Sequence, residues 1–156
     1  MMQMFYQKGV VGDVILDNIA SLELCLQADD AWDRYAIQDV LNQYGSGALW
    51  QMSDDVLVGY CLFSCVFEMA EILRIGTHPR YQKQGIARGL IKKLCQLCTK
   101  DFVPCERILL EVRADNMPAI YLYQTCGFVQ IDVRKNYYKT SSGAIDAIIF
   151  QKQLLI

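Results

Sequence analysis

Tyr81-Gln82-Lys83-Gln84-Gly85-Ile86-Ala87-Arg88 is the stretch on which the fold turns. Before it, Met69 to Thr77 reads as a strand stopped by His78-Pro79. After it, Ile86, Leu90, Leu94 and Leu97 form an apolar stripe at helical spacing, with Arg88, Lys92, Lys93 and Gln96 opposite. The octet is therefore a strand-to-helix junction opening a central helix. Small residues at 85 and 87 let a ligand approach the backbone closely. The unpaired amides of a first helical turn carry partial positive charge. That is chemistry for a diphosphate, although an ordinary helix start reads the same way. The phosphate-loop pattern Gly-x-x-x-x-Gly-Lys-Ser/Thr is missing.

Working outward, the apolar spacing of Ile19, Leu22, Cys25 and Leu26 predicts a helix over Asn18 to Asp29, and a second helix covers Arg34 to Gln43. The opening is ambiguous, with a short strand indicated around Val10 to Leu16. Gly45-Ser46-Gly47 reads as a turn before a short strand at Ala48 to Met52. Val56 to Phe67 reads as a long buried strand, with Met69 to Thr77 as its antiparallel neighbour. Further on come a strand at Arg107 to Arg113, a helix at Met117 to Thr125, a turn into a strand at Cys126-Gly127-Phe128, a polar hairpin at Lys139 to Gly143 and a last strand at Ile145 to Gln151. The order predicts an α+β domain whose helices cross a mixed sheet.

The composition agrees with such a domain. The 156 residues are 53% hydrophobic and 21% charged, so disorder is excluded and a single domain over 1–156 is expected. With 15 basic and 17 acidic residues the net charge is −2, which is no footprint for direct nucleic-acid binding. The first ten residues lack the apolar core of a signal peptide, and Val56 to Phe67 is too short to span a bilayer. The seven cysteines are odd in number and mostly sit in apolar runs such as Tyr60-Cys61-Leu62-Phe63. Reduced, core-filling cysteines and a cytoplasmic location are expected. Cys95-Gln-Leu-Cys98 has the spacing of a metal or redox pair. It lies inside a helix, though, and no second close pair accompanies it, so packing is preferred and no metal is expected.

Two other stretches carry reactive groups. In Leu109-Leu110-Glu111-Val112-Arg113-Ala114-Asp115-Asn116, a carboxylate within an apolar strand is costly unless paired or functional. Glu111 is either a proton acceptor or the partner of Arg113 or Arg74 on the same sheet face. In Ala119-Ile120-Tyr121-Leu122-Tyr123-Gln124-Thr125-Cys126-Gly127-Phe128, a helical tyrosine is either a core residue or an acid.

The ordered set Gln82-x-x-Gly85-x-Ala87, Leu110-Glu111-Val112-Arg113-Ala114-x-Asn116, Tyr121-x-Tyr123-x-x-x-Gly127-Phe128 resembles the GNAT acetyltransferase superfamily. Asn136-Tyr137-Tyr138 and Asp146-Ala147 are similar to its RimI-type branch, the ribosomal-protein-alanine N-acetyltransferases. Trp32 looks like the family's tryptophan after the first helix. The resemblance implies a GNAT fold: a mixed, mostly antiparallel central sheet flanked by helices, with a splayed central strand pair that binds acetyl-CoA. It implies a diphosphate seated on Lys83, Gln84, Gly85, Ile86, Ala87 and Arg88, a pantetheine arm paired along Ile75, Gly76 and Thr77, and a contact from Asn116. One strand amide would polarise the thioester carbonyl. Glu111 would be the general base and Tyr123 the general acid toward the departing thiolate. Tyr137 and Tyr138 would help line the acceptor groove. The acceptor implied is a protein N-terminal amine, foremost the N-terminal alanine of a small-subunit ribosomal protein.

The sequence departs from the family pattern at Cys126, at Ala144-Ile145 and through Met1 to Trp50, which helps wall the acceptor groove. Other amine acceptors, a non-catalytic acyl-CoA sensor and a thiol-redox protein built on Cys95 and Cys98 are the competing readings.

Overall fold

A computed structural model describes residues 1–101 and 105–154. Its elements are β1 (Met2–Lys8), α1 (Asp13–Gln27), α2 (Arg34–Leu41), β2 (Ser46–Ser53), β3 (Val56–Val66), β4 (Met69–Thr77), α3 (Ile86–Gln96), β5 (Arg107–Arg113), α4 (Met117–Thr125), β6 (Val129–Thr140) and β7 (Gly143–Gln153). The strands form one sheet in the order β1-β2-β3-β4-β5-β7-β6. Every neighbouring pair is antiparallel except β4 and β5. The α+β class and the mostly antiparallel mixed sheet expected from the sequence are what the chain forms.

The opening differs from expectation. The first strand is Met2–Lys8, and the indicated strand at Val10 to Leu16 runs into α1, which begins at Asp13. β1 is an edge strand with only Met4 partly buried, so it has no inward-facing alternation to read. It is held by long-range pairing from Met2↔Ser53 to Lys8↔Gly47, and by Phe5 stacked on Trp50 with centroids 5.7 Å apart. The start of α1 is equally silent, because its N-cap, Gly12, makes no side-chain cap.

The core lies on both faces of the sheet. Leu16, Ile19, Ile37 and Leu41 from α1 and α2 pack against Leu57, Tyr60 and Leu62. Ile86, Leu90, Ile91 and Leu94 from α3 pack on the other face against Val58, Cys61 and Phe63. Strict alternation along β3 breaks between Leu57 and Tyr60, where the β2–β3 register shifts. Gly59 sits at that break. A Cβ there would lie 2.5 Å from Ile86 Cγ2, so the missing side chain admits the start of α3 against the sheet.

The feature that positions the site is the parallel pair. β4 and β5 are in register from Met69↔Arg107 to Ile72↔Leu110, and their pairing stops there. Beyond it, Arg74–Thr77 of β4 stays paired with β3 through Thr77↔Gly59, while Glu111–Arg113 of β5 stays paired with β7. A cleft opens between the two strands.

Candidate active site

The cleft is a cavity of about 1190 Å³. Ile75, Gly76 and Thr77 line one wall, from the β4 edge that has lost its β5 partner. Lys83, Gly85, Ile86, Ala87 and Arg88 line its end, at the N-terminus of α3. Glu111 on β5, with Asn116 and Tyr123 at the start and body of α4, forms the opposite wall. Of the catalytic and cofactor-binding residues expected from the sequence, Gln84 alone does not line the cavity. Its side-chain amide turns back toward the Arg80 carbonyl, 3.5 Å away.

Local sequence shapes the α3 end. Pro79–Tyr81 makes one tight turn, begun when His78 N–H donates to the Val58 carbonyl at 2.8 Å. Lys83 and Gly85 then adopt left-handed backbone, φ 63° and 82°, and the chain enters α3 with its first residues, Ile86, Ala87 and Arg88, lining the cleft. A Cβ on Gly85 would meet nothing within 4 Å, so the space above these amides is open. The Arg88 guanidinium is engaged with α4, donating to Thr125 Oγ1 at 2.8 Å.

Asn116 caps α4, its side chain accepting from Ala119 N–H at 3.3 Å, so it shapes the wall as well as lining it. Tyr123 is only 6% exposed, edge-on to Phe128 with centroids 5.9 Å apart. Burial pushes its phenol well above the ordinary tyrosine value, with smaller contributions from Cys61, Cys126 and Tyr138. It therefore keeps its proton at neutral pH.

Glu111 has an ion-pair partner, but neither of the two suggested by the sequence. Arg134 on β6 lies 3.2 Å from it. Arg113 instead pairs with Asp115 at 2.9 Å and Asp30 at 3.5 Å, and Arg74 with Glu23 at 3.6 Å. Glu71, half-buried on β4, has its carboxyl raised by burial and then by the Glu111 charge, so two carboxylates share this part of the sheet.

Behind the α1–α2 side of the cleft lies a buried carboxylate that the sequence did not single out. Glu23 on α1 is fully buried, accepting from Tyr60 OH at 2.6 Å and from Trp32 N–H at 2.8 Å. The Arg74 guanidinium lies 4.4 Å from the Trp32 ring centroid. Trp32 and Asp30 both line the cleft. A carboxylate inside the apolar run Leu22-Glu23-Leu24-Cys25 was the available signal, the same one that marks Glu111. Tyr138 also lines the cleft; Tyr137, its neighbour, does not.

The model of the Acetyltransferase (GNAT) family matches residues 16–128. The [ribosomal protein bS18]-alanine N-acetyltransferase of Escherichia coli K12 is 38% identical over 93 residues, a match that covers 60% of this chain and 62% of that protein, less than two thirds of its length. The N-alpha-acetyltransferase RimI of Mycobacterium tuberculosis is 35% identical over 120 residues, 74% of this chain and 72% of that one. The crystal structure of the ribosomal-protein-S18-alanine N-acetyltransferase from E. coli superposes with a TM-score of 0.88 at 26% identity, covering 100% of this chain and 96% of that one. On the family match, the relatives and a fold that splays the same strands its motifs lie on, the chain belongs to the acetyltransferase (GNAT) family.

Proposed function

We propose that this protein transfers an acetyl group from acetyl-CoA to the N-terminal α-amine of a protein, foremost the N-terminal alanine of a small-subunit ribosomal protein. The observation that carries the reading is the single cleft in which an unpaired strand edge, a helix N-terminus, Glu111 and Tyr123 converge. The printed activities of the E. coli and M. tuberculosis relatives support the choice of acceptor.

The cleft suits a coenzyme A thioester. The open space over Gly85 leaves room for a diphosphate against the amides of Ile86, Ala87 and Arg88, with Lys83 beside it. The free edge at Ile75, Gly76 and Thr77 offers the ladder groups that an extended amide arm needs. When bound, acetyl-CoA supplies an activated acyl group whose leaving group is a thiolate.

Glu111 takes a proton from the incoming amine, directly or through a water. An α-amino group has a pKa near ~7.7–8 against ~10.4 for lysine, so the neutral form costs about 3.5 kcal/mol less to reach at pH 7. A carboxylate balanced by Arg134 suffices for that. Tyr123, held protonated by burial, gives its proton to the departing sulfur. Backbone N–H groups at the free β4 edge stabilise charge on the carbonyl oxygen. Asn116 holds the α4 wall, and no covalent enzyme intermediate is required. The acceptor carries with it a cytoplasmic location; among the described residues no helix is long and apolar enough to cross a membrane.

The test is release of CoA thiol from acetyl-CoA in the presence of a short peptide with a free N-terminal alanine. An N-acetylated copy and an N-blocked peptide with an internal lysine serve as controls. Turnover with the free N-terminus alone is expected. Turnover only with the internal lysine would overturn the α-amine reading. Binding of acetyl-CoA with no turnover on any amine would favour a sensor.

A further inference from the structure

Away from the cleft, the sheet brings three cysteines together. Cys65 is the last residue but one of β3, Cys98 lies in the wide helical turn Leu97–Asp101 that continues α3, and Cys105 precedes β5. Their sulfur atoms all lie within 4.8 Å of one another. Cys98 and Cys105 are fully buried, and Cys65 partly so. We propose that Cys65, Cys98 and Cys105 form a three-thiolate site for a soft d10 cation of the Cu(I) class.

Four observations support this assignment. First, the donor set is sulfur only, and the sole histidine, His78, belongs to the turn ahead of α3, so the set suits a thiophilic ion. Second, the spacing is right. A cation about 2.3 Å from each sulfur holds a trigonal set about 4.0 Å apart, inside the 4.8 Å span of the three sulfurs once those of Cys65 and Cys105, which are in contact, separate. Third, the two buried ligands are fixed by backbone as well as packing, since Cys105 N–H donates to the Cys98 carbonyl at 3.0 Å. Fourth, there is an entry path. Cys65 lines a hollow of about 570 Å³, whose wall includes Lys8, Val10, Tyr44 and Phe67.

A cross-link between two of the three is the competing chemistry, because the Cys65 and Cys105 sulfurs are in contact. Their Cα atoms are 7.4 Å apart, beyond the ~4.4–6.8 Å that bridged cysteines span, so a covalent bridge requires backbone movement. Binding exchanges three S–H bonds for three metal–sulfur bonds and releases the three protons to solvent, with no change in oxidation state. The site joins the ends of β3 and α3 to the start of β5, at the end of the β4–β5 pair remote from the cleft. It also reassigns Cys98, whose spacing from Cys95 first suggested a metal pair: the partners come from β3 and β5.

The experiment is an anaerobic titration of the reduced full-length protein with Cu(I), using bicinchoninate as the chromogenic competitor. One tightly held equivalent is expected, with X-ray absorption of the loaded protein counting three sulfurs around copper. Cys98→Ser is expected to weaken binding by at least about tenfold, while Cys25→Ser, at an exposed cysteine of α1, leaves it unchanged. The absorption measurement needs no variant and so stands even if Cys98→Ser fails to fold. Fewer than three sulfurs, loss of the equivalent in Cys25→Ser, or a Cys65–Cys105 cross-link that persists under reductant without copper uptake would overturn the proposal.

Discussion

A carboxylate in the middle of an apolar strand needs something to answer its charge, and for Glu111 that group is Arg134, across β7 on β6. The ion pair leaves the carboxylate in the cleft wall, with its side chain 24% exposed. Tyr123 is a phenol whose surroundings suppress ionisation. Glu111→Gln preserves the shape and hydrogen-bonding capacity, and Tyr123→Phe preserves the ring packing against Phe128 and Phe150. Each is expected to lower kcat at pH 7 by about 10²–10⁴-fold, with the melting temperature little changed; steady-state thiol release and thermal denaturation check the two halves. Both residues stand out in the sequence as ambiguous. Their ambiguity ends only when other strands bring the cleft around them.

At the scale of elements, the β6–β7 hairpin shows how a short motif is read without its geometry. Asn136 has left-handed backbone, φ 55°, inside an irregularity of the ladder between Arg134 and Tyr138. Asp146 on β7 pins it, accepting from Asn136 N–H at 2.8 Å and from Lys135 at 3.2 Å. The irregular segment delivers Arg134 to Glu111 and Tyr138 to the cleft. The Asn136 amide, and then Lys135, hold the Asp146 carboxyl below its usual range. A depressed folded-state pKa stabilises the fold above the unfolded value, about 3.9, and the contribution disappears as pH falls through the folded value. The melting-temperature difference between the native protein and Asp146→Asn is therefore expected to be full at neutral pH and to shrink below about pH 4; a pH series of thermal melts measures it. The pairing of Asn136-Tyr137-Tyr138 with Asp146 is visible in the sequence as two fragments, and the hydrogen bond explains why they go together.

Across the whole molecule, splaying β4 from β5 creates the cleft but removes ladder bonds that would join the two sides of the sheet. Ionic and polar contacts bridge the gap instead. Glu23 on α1 holds Tyr60 of β3, Trp32 of the α1–α2 link and Arg74 of β4, and Asp30 of that link reaches Arg113 of β5. Removing the Glu23 carboxylate strands a buried hydroxyl and an Arg74 side chain that is only 21% exposed. Glu23→Ala is expected to cost about 3 kcal/mol in urea denaturation. It is also expected to raise KM for the acceptor peptide more than KM for acetyl-CoA, because Trp32 and Asp30 wall the cleft on the α1–α2 side. Steady-state kinetics with each substrate varied in turn separates the two.

Periodicity and turn chemistry were enough to locate α3, α4, β4 and β5, and the order of motifs along them was enough to imply the family. Those signals are local: an apolar stripe at 3.6 spacing, a glycine that accepts positive φ, a proline that ends a strand. Long-range contacts decided the rest. β1 exists because β2 pairs with it, Glu111 meets Arg134 because β6 and β7 fold back beside β5, and the sulfurs of three cysteines spread over 41 positions come within 4.8 Å because the ends of β3 and α3 meet the start of β5. Side-chain alternation says which face a residue takes, but only the closed sheet says which residues share it.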